Sequence, residues 1–251
     1  MASVTQRIKE IKQPTGGYLN IKEFKCIKLK NLNELNPIEN IHPTLIGLAV
    51  DYLSRFMVTK DVVEAFKVSS LGAFLVEEKD KFIDLISDIK GLDNKSIINT
   101  VKVCGYDVAF RAGPIFYKPV ETINPDFDTI ENIRIMVSRS LFFFTTYGPI
   151  IADGFTFEGG YSKVVDTGDG DFLTNDTLWD FKVSKSKPTK EHTLQLLMYY
   201  IMGKKSGKEI FKNIRKIGIF NPRLNEVYLY EIGNDILNIL KEISDKVICY
   251  K

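Results

Sequence analysis

The sequence is poor in the residues that build soft-metal sites and covalent frameworks. Its 251 residues carry three cysteines and two histidines. Cys26, Cys104 and Cys249 are odd in number and far apart. They form no CxxC pair and no ligand spacing with His42 or His192, which excludes a disulfide scaffold and a zinc-finger-type site. A reduced, cytoplasmic chain is the expectation. No apolar run approaches the roughly 20 residues that span a bilayer. The start, Met1-Ala2-Ser3-Val4-Thr5-Gln6-Arg7, leads into charge and not into an apolar leader, so neither secretion nor a membrane partner is expected. An excess of one charge is also lacking: Lys+Arg 34 against Asp+Glu 32 gives +2, too little to draw the whole chain to a polyanion. Internal repeats, low-complexity tracts and Gly/Ser linkers are absent, so any domain boundary is soft.

What remains is a globular composition, 44% apolar and 26% charged, long enough for one large domain or one domain with an appendage. Residues 1–149 read as a mainly helical N-terminal half packed on a core. Leu45, Leu48, Ala49, Tyr52, Leu53 and Phe56 recur at helical spacing, and further helices are predicted over 71–90, 94–110 and 126–147, with Asp126 and Asp128 in the first turn of the last. From residue 150 the texture changes to β-branched and aromatic runs between glycine and Asn/Asp turns. Strands are predicted over 150–158, 161–166, 168–174 and 177–184, then a helix over 189–202 opened by Pro188-Thr189 and closed by Gly203. Strands over 216–221 and 226–231 and a helix over 235–247 complete an α/β chain of the α+β type.

The stretch from Gly168 to Lys182 carries the chemistry. A two-residue turn at Asn175-Asp176 pairs Leu173 with Leu178, Phe172 with Trp179, and Asp171 with Asp180. Alternation then sets Asp171, Asp180 and Lys182 on one face and Phe172, Trp179, Phe181 and Val183 on the other. Two ionised carboxylates at about 5 Å repel by about 3 kcal/mol at an effective dielectric near 20. A sheet has no structural use for that repulsion. A hard divalent cation turns it into a site, because carboxylate oxygens are the ligands Mg²⁺ and Mn²⁺ prefer, and Lys182 reaches the same space, where it would hold a phosphate oxygen, orient or deprotonate water, or stabilise developing negative charge.

These residues resemble the PD-(D/E)XK nuclease superfamily, most closely its RecB-type branch. The branch has Gly-x-x-Asp, then acid-x-Lys, then Gln-x-x-x-Tyr on the following helix. Here Gly168-Asp169-Gly170-Asp171, Asp180-Phe181-Lys182 and Gln195-Leu196-Leu197-Met198-Tyr199 stand in that order. The resemblance covers residues 150–231 and implies a restriction-endonuclease-like αβββαβ core. It implies Asp171, Asp180 and the Phe181 carbonyl as ligands of Mg²⁺ or Mn²⁺, Lys182 as the catalytic lysine, and Gln195 and Tyr199 facing the DNA backbone or the site. The branch's upstream Gly-x-x-x-His is replaced by Gly47-Leu48-Ala49-Val50-Asp51, so Asp51 stands as a further ligand, with Glu64 behind it.

The segment between Lys182 and Lys216 is strongly basic. Lys185, Lys187 and Lys190 flank the hairpin and the motif helix, and phosphate contacts are expected of them, with affinity that falls with salt. His192 lies on a neighbouring face of that helix, and Asp153, Glu158, Asp166 and Asp169 are further acids near the hairpin. The expectation is a metal-dependent deoxyribonuclease, exonuclease or endonuclease, of a repair, recombination or phage and defence setting. DNA is the expected partner, RNA stays open, and protein partners or a homo-oligomer are open as well. The alternative is a nucleic-acid-binding subunit that keeps the fold without cutting.

Overall fold

Ser3 ends a two-residue strand, β1 (Ala2–Ser3), and caps α1 (Val4–Glu10). Its hydroxyl accepts the Gln6 N–H at 3.2 Å while the Gln6 side chain accepts the Ser3 N–H at 2.9 Å. After a tight glycine turn and a short 3₁₀ turn comes β2 (Lys25–Lys28). The computed structural model describes residues 1–30 and 33–250 and divides the chain into two units. Met1–Lys30 joins Phe143–Lys251 in one, and Asn31–Phe142 forms the other. The boundary therefore differs from a helical half over 1–149 followed by a core. The first 30 residues add helix α1 and strand β2 to the β-rich unit, and Val4, Ile8, Leu19 and Phe24 are buried in its core.

The second unit is helical: α2 (Pro43–Thr59), α3 (Val62–Ala65), α4 (Lys67–Leu75), α5 (Lys79–Ser87), α6 (Asn94–Cys104), α7 (Asp107–Arg111) and α8 (Phe127–Tyr147), whose last turn counts with the β-rich unit. The predicted helix over 71–90 is two, broken where Glu77 takes a left-handed conformation (φ 60°). The one over 94–110 breaks at Gly105-Tyr106. Gly72 lets α4 and α7 touch backbone to backbone, since a Cβ there would lie 2.0 Å from the Tyr106 carbonyl oxygen. Buried Asp107 is satisfied from three sides, by Tyr52 (2.6 Å), Ser69 (2.5 Å) and Arg111 (3.3 Å).

In the β-rich unit the chain continues through β3 (Ala152–Thr156), β4 (Val165–Thr167), β5 (Asp169–Leu173), β6 (Thr177–Phe181), α9 (Lys190–Ser206), β7 (Lys216–Asn221), β8 (Glu226–Glu231), α10 (Leu237–Glu242) and a π-helical turn over Ile243–Ile248. β4 pairs in parallel with β1. The remaining strands form one mixed six-stranded sheet in the order β2-β8-β7-β6-β5-β3, with β6 and β7 parallel across the α9 crossover and every other pair antiparallel. α9 runs through Gly203 to a left-handed cap at Gly207 (φ 70°), and Gly203 is there for contact, because a Cβ would come within 2.6 Å of the Phe211 ring. One face of the sheet carries α9 and the core. The other carries an aromatic layer in which Phe143 stacks on Phe220 at 4.2 Å and meets Trp179 edge-on at 4.9 Å. Both faces being covered, all five residues of β6 are buried. Among the described residues no helix is long and apolar enough to cross a membrane.

Candidate active site

The hairpin closes as its sequence dictates. Thr174 N–H bonds the Thr177 carbonyl at 3.0 Å across Asn175-Asp176, and the ladder pairs Leu173 with Leu178 and Phe172 with Trp179. The turn is pinned to β7, since the Asp176 carbonyl accepts the N–H groups of Arg215 and Lys216 at 2.9 and 3.0 Å and its carboxylate takes Lys216 Nζ at 2.9 Å. Trp179, buried on the aromatic face, donates its indole N–H to Thr174 Oγ1 at 3.0 Å.

The paired ladder runs through Leu173–Leu178 and Phe172–Trp179; one step further on, the Phe181 N–H bonds the Asp171 side chain, Oδ2, at 2.6 Å. On the other edge of β5, Gly170 pairs with Phe155 of β3, and a Cβ at Gly170 would lie 2.3 Å from the Phe155 ring, so glycine is what the close packing there admits. The Lys182 N–H bonds the Phe220 carbonyl at 3.0 Å on the β7 side, so alternation turns the Phe181 N–H and C=O toward β5.

Asp180 faces α9 with its side chain 2% exposed. Its Oδ1 accepts Lys182 Nζ at 2.9 Å, and its Oδ2 is buried with no hydrogen-bond partner among the described residues. An unpartnered carboxylate oxygen in a strand interior carries a desolvation cost of about 1–3 kcal/mol or more.

α9 covers this corner. Gln195 Nε2 donates to the Tyr199 hydroxyl at 2.9 Å, and both residues are buried. Burial first, then the negative field of Asp180, Asp171 and Asp169, pushes the Tyr199 hydroxyl far above its ordinary range against the Gln195 donation, so it stays neutral. His192 Nδ1 accepts the Thr189 N–H at 3.0 Å, which leaves the proton of the neutral ring on Nε2. Burial and then the Lys182 charge hold His192 below its ordinary range, outweighing Asp180 and Glu191.

The structure thus gathers Asp171, Asp180, Lys182, the Phe181 backbone, Gln195, Tyr199 and His192. Lys185, Lys187 and Lys190 lie exposed on the connection into α9 and its first residue. Asp51 belongs to the helical unit, on α2, and is ion-paired to Arg55 at 2.8 Å; Glu64 is exposed there beside Lys67. His42 caps α2, accepting the Thr44 N–H at 3.3 Å. The hairpin therefore offers two carboxylates and a carbonyl, and among the described residues no group of three or more His, Cys, Asp or Glu side chains is gathered to hold a metal ion. Two supporting residues carry no motif signal. Tyr161 donates its hydroxyl to the Gly168 carbonyl at 3.0 Å, and Val4 packs where a Cβ on Gly168 would stand, 2.8 Å from Val4 Cγ2 and 3.3 Å from the Tyr199 ring. The one clue was Gly168 itself, the glycine of Gly-x-x-Asp.

Comparison of the chain with protein-family models, with curated proteins and with solved structures found no match.

Proposed function

We propose that the β-rich unit is a metal-dependent deoxyribonuclease, with the corner between β5, β6 and α9 as its active site. One observation carries the reading: the buried, unpartnered Asp180 Oδ2, with Lys182 on the other oxygen and Asp171 held by the Phe181 N–H. The order of three antiparallel strands, a crossover helix and a parallel strand supports a restriction-endonuclease-like core.

Asp171, Asp180 and the Phe181 carbonyl would hold Mg²⁺ or Mn²⁺. Two carboxylates and a carbonyl suit an ion that keeps several of its waters. When bound, the ion supplies a Lewis acid at the phosphoryl group and a water of lowered pKa. The protein's own groups supply the rest. Lys182, partly exposed, presents its ammonium where negative charge develops on the phosphate. The neutral Tyr199 hydroxyl, oriented by Gln195, and the His192 Nε2–H face the same corner as uncharged donors. Lys185, Lys187 and Lys190 hold flanking phosphates by charge.

Linear, circular and single-stranded DNA, with RNA in parallel, incubated with Mg²⁺ or Mn²⁺ should be cut by the wild type. Cutting should be slower by about 10²-fold or more in Asp180→Ala and Lys182→Ala. Equal nicking by all three proteins would assign the activity to a contaminant and end the proposal. Cutting of closed circles marks an endonuclease; loss confined to linear ends marks an exonuclease. The second reading is a nucleic-acid-binding subunit that keeps the fold and does not cut, for which the exposed Lys185, Lys187 and Lys190 beside the hairpin would suffice. That reading expects DNA binding without Mn²⁺ uptake dependent on Asp171 and Asp180.

A further inference from the structure

The basic segment after the hairpin separates into two sets. Lys208, Lys212 and Arg215 lie beside Glu158 (3.8 Å), Glu209 (3.1 Å) and Asp176 (3.4 Å). Lys204 and Lys205, in the last turn of α9, have no carboxylate partner among the described residues, and neither has Lys241 on α10. These three unpaired lysines line one cavity of about 540 Å³, with Tyr200, Tyr250 and Asp245. That volume lies within the roughly 300–1,000 Å³ typical of small-ligand sites.

Each of two ammoniums rests on an aromatic face. Lys204 Nζ lies 5.6 Å from the Tyr200 ring centre and Lys205 Nζ 5.4 Å from that of Tyr250. Lys204 also donates to the Lys212 carbonyl at 2.8 Å. The Tyr250 ring is fixed from its far end, where its hydroxyl donates to the Gly160 carbonyl. Ser244 and Asp245 of the π-helical turn, a wide-turn geometry that recurs at functional sites, also line the cavity. Three ammoniums against one carboxylate leave a positive surplus, and two tyrosine faces stand beside it. Phosphate oxygens answer the first feature and a planar base answers the second, the combination by which proteins hold nucleotides.

We propose that this cavity binds a nucleotide, with Lys204, Lys205 and Lys241 on its phosphate and a tyrosine ring on its base. The site shares no residue with the hairpin and does not depend on the nuclease reading. The shared chemistry, a phosphate joined to a base, has two sources, a free nucleoside phosphate or one unit of a polynucleotide strand.

Calorimetric titration of the full chain in EDTA, which keeps the hairpin chemistry silent, tests it with ATP, AMP, a 5′-phosphorylated oligothymidylate and inorganic phosphate. A nucleotide or the oligonucleotide should bind saturably, at least about tenfold more tightly than inorganic phosphate. Lys205→Glu combined with Lys241→Glu should weaken it by at least about tenfold, and Lys118→Glu, the same charge reversal at an exposed lysine of the helical unit, should leave it unchanged. Preference for ATP or AMP assigns the free source, and preference for the oligonucleotide assigns the strand. If the double variant loses its melting transition, the single variants carry the same expectation, each with a several-fold loss. No saturable binding, equal affinity for inorganic phosphate, or affinity untouched by the lysine changes overturns the proposal.

Discussion

His192 ties the local structure of α9 to the candidate site. Its Nδ1 accepts the Thr189 N–H, so protonation costs that bond as well as placing a cation in a half-buried position near Lys182. The folded ring therefore takes up its proton at lower pH than the unfolded one, which does so near about 6.5. The unfolded state binds more protons between those two values. The contribution is thus fully present above about pH 6.5 and is lost as pH falls toward the depressed folded value. His192→Gln keeps an acceptor for the Thr189 N–H and removes the titration. Melting temperatures from pH 8 to 5 should fall more steeply below about 6.5 in the wild type than in the variant. Parallel curves would show that His192 ionises alike in both states. Asp180 accepts Lys182 Nζ on one oxygen, and Asp171 accepts the Phe181 backbone N–H.

At the scale of elements, what was legible in the sequence was local. The hairpin register followed from a two-residue turn and strict alternation, and β7 and β8 lie over the predicted 216–221 and 226–231 because turns and β-branched residues bound both runs. The bond from the Phe181 N–H to the Asp171 side chain was not legible, since alternation predicts which face a side chain takes and not that it accepts a backbone N–H of the neighbouring strand. Nor was β2, four residues with no alternation of burial, whose pairing with β8 lies some 200 residues along the chain. The same holds for α1, whose Val4 reaches Gly168. These early elements are integral to the β-rich unit. Removing residues 1–30 takes Val4, Ile8, Leu19 and Phe24 from the core and leaves one edge of β8 unpaired, a template for association. Large-to-small losses of single core residues cost about 2–5 kcal/mol each, so four together exceed the usual margin of stability. The shortened chain should show no cooperative melt of the β-rich unit and should elute as aggregate in size-exclusion chromatography. A monomer melting at the wild-type temperature would show that the segment is an accessory.

At the scale of the whole molecule, two cores of different character share one chain. The helical unit is organised around polar networks, one buried and one partly exposed. Asp107 with Tyr52, Ser69 and Arg111 is one, and Glu78, which accepts Tyr106 and Tyr117 at 2.8 Å each, is another. The β-rich unit is organised around a sheet with α9 on one face and stacked aromatics on the other, and it alone holds the hairpin acids. Perturbations should therefore separate by unit in scanning calorimetry. Mn²⁺ at about 100 times its dissociation constant adds about 2.7 kcal/mol to whatever folds around it, a rise of several degrees for a unit of this size. The ion should raise one transition in the wild type and none in Asp180→Ala. Tyr52→Phe withdraws a donor from buried Asp107 and should lower the other transition by the equivalent of about 1–3 kcal/mol, leaving the ion-sensitive one in place. A single transition that both perturbations shift would show that the units melt as one cooperative body. Two transitions with the Mn²⁺ response in the one that Tyr52→Phe lowers would instead put the ion in the helical unit and remove the hairpin from the chemistry.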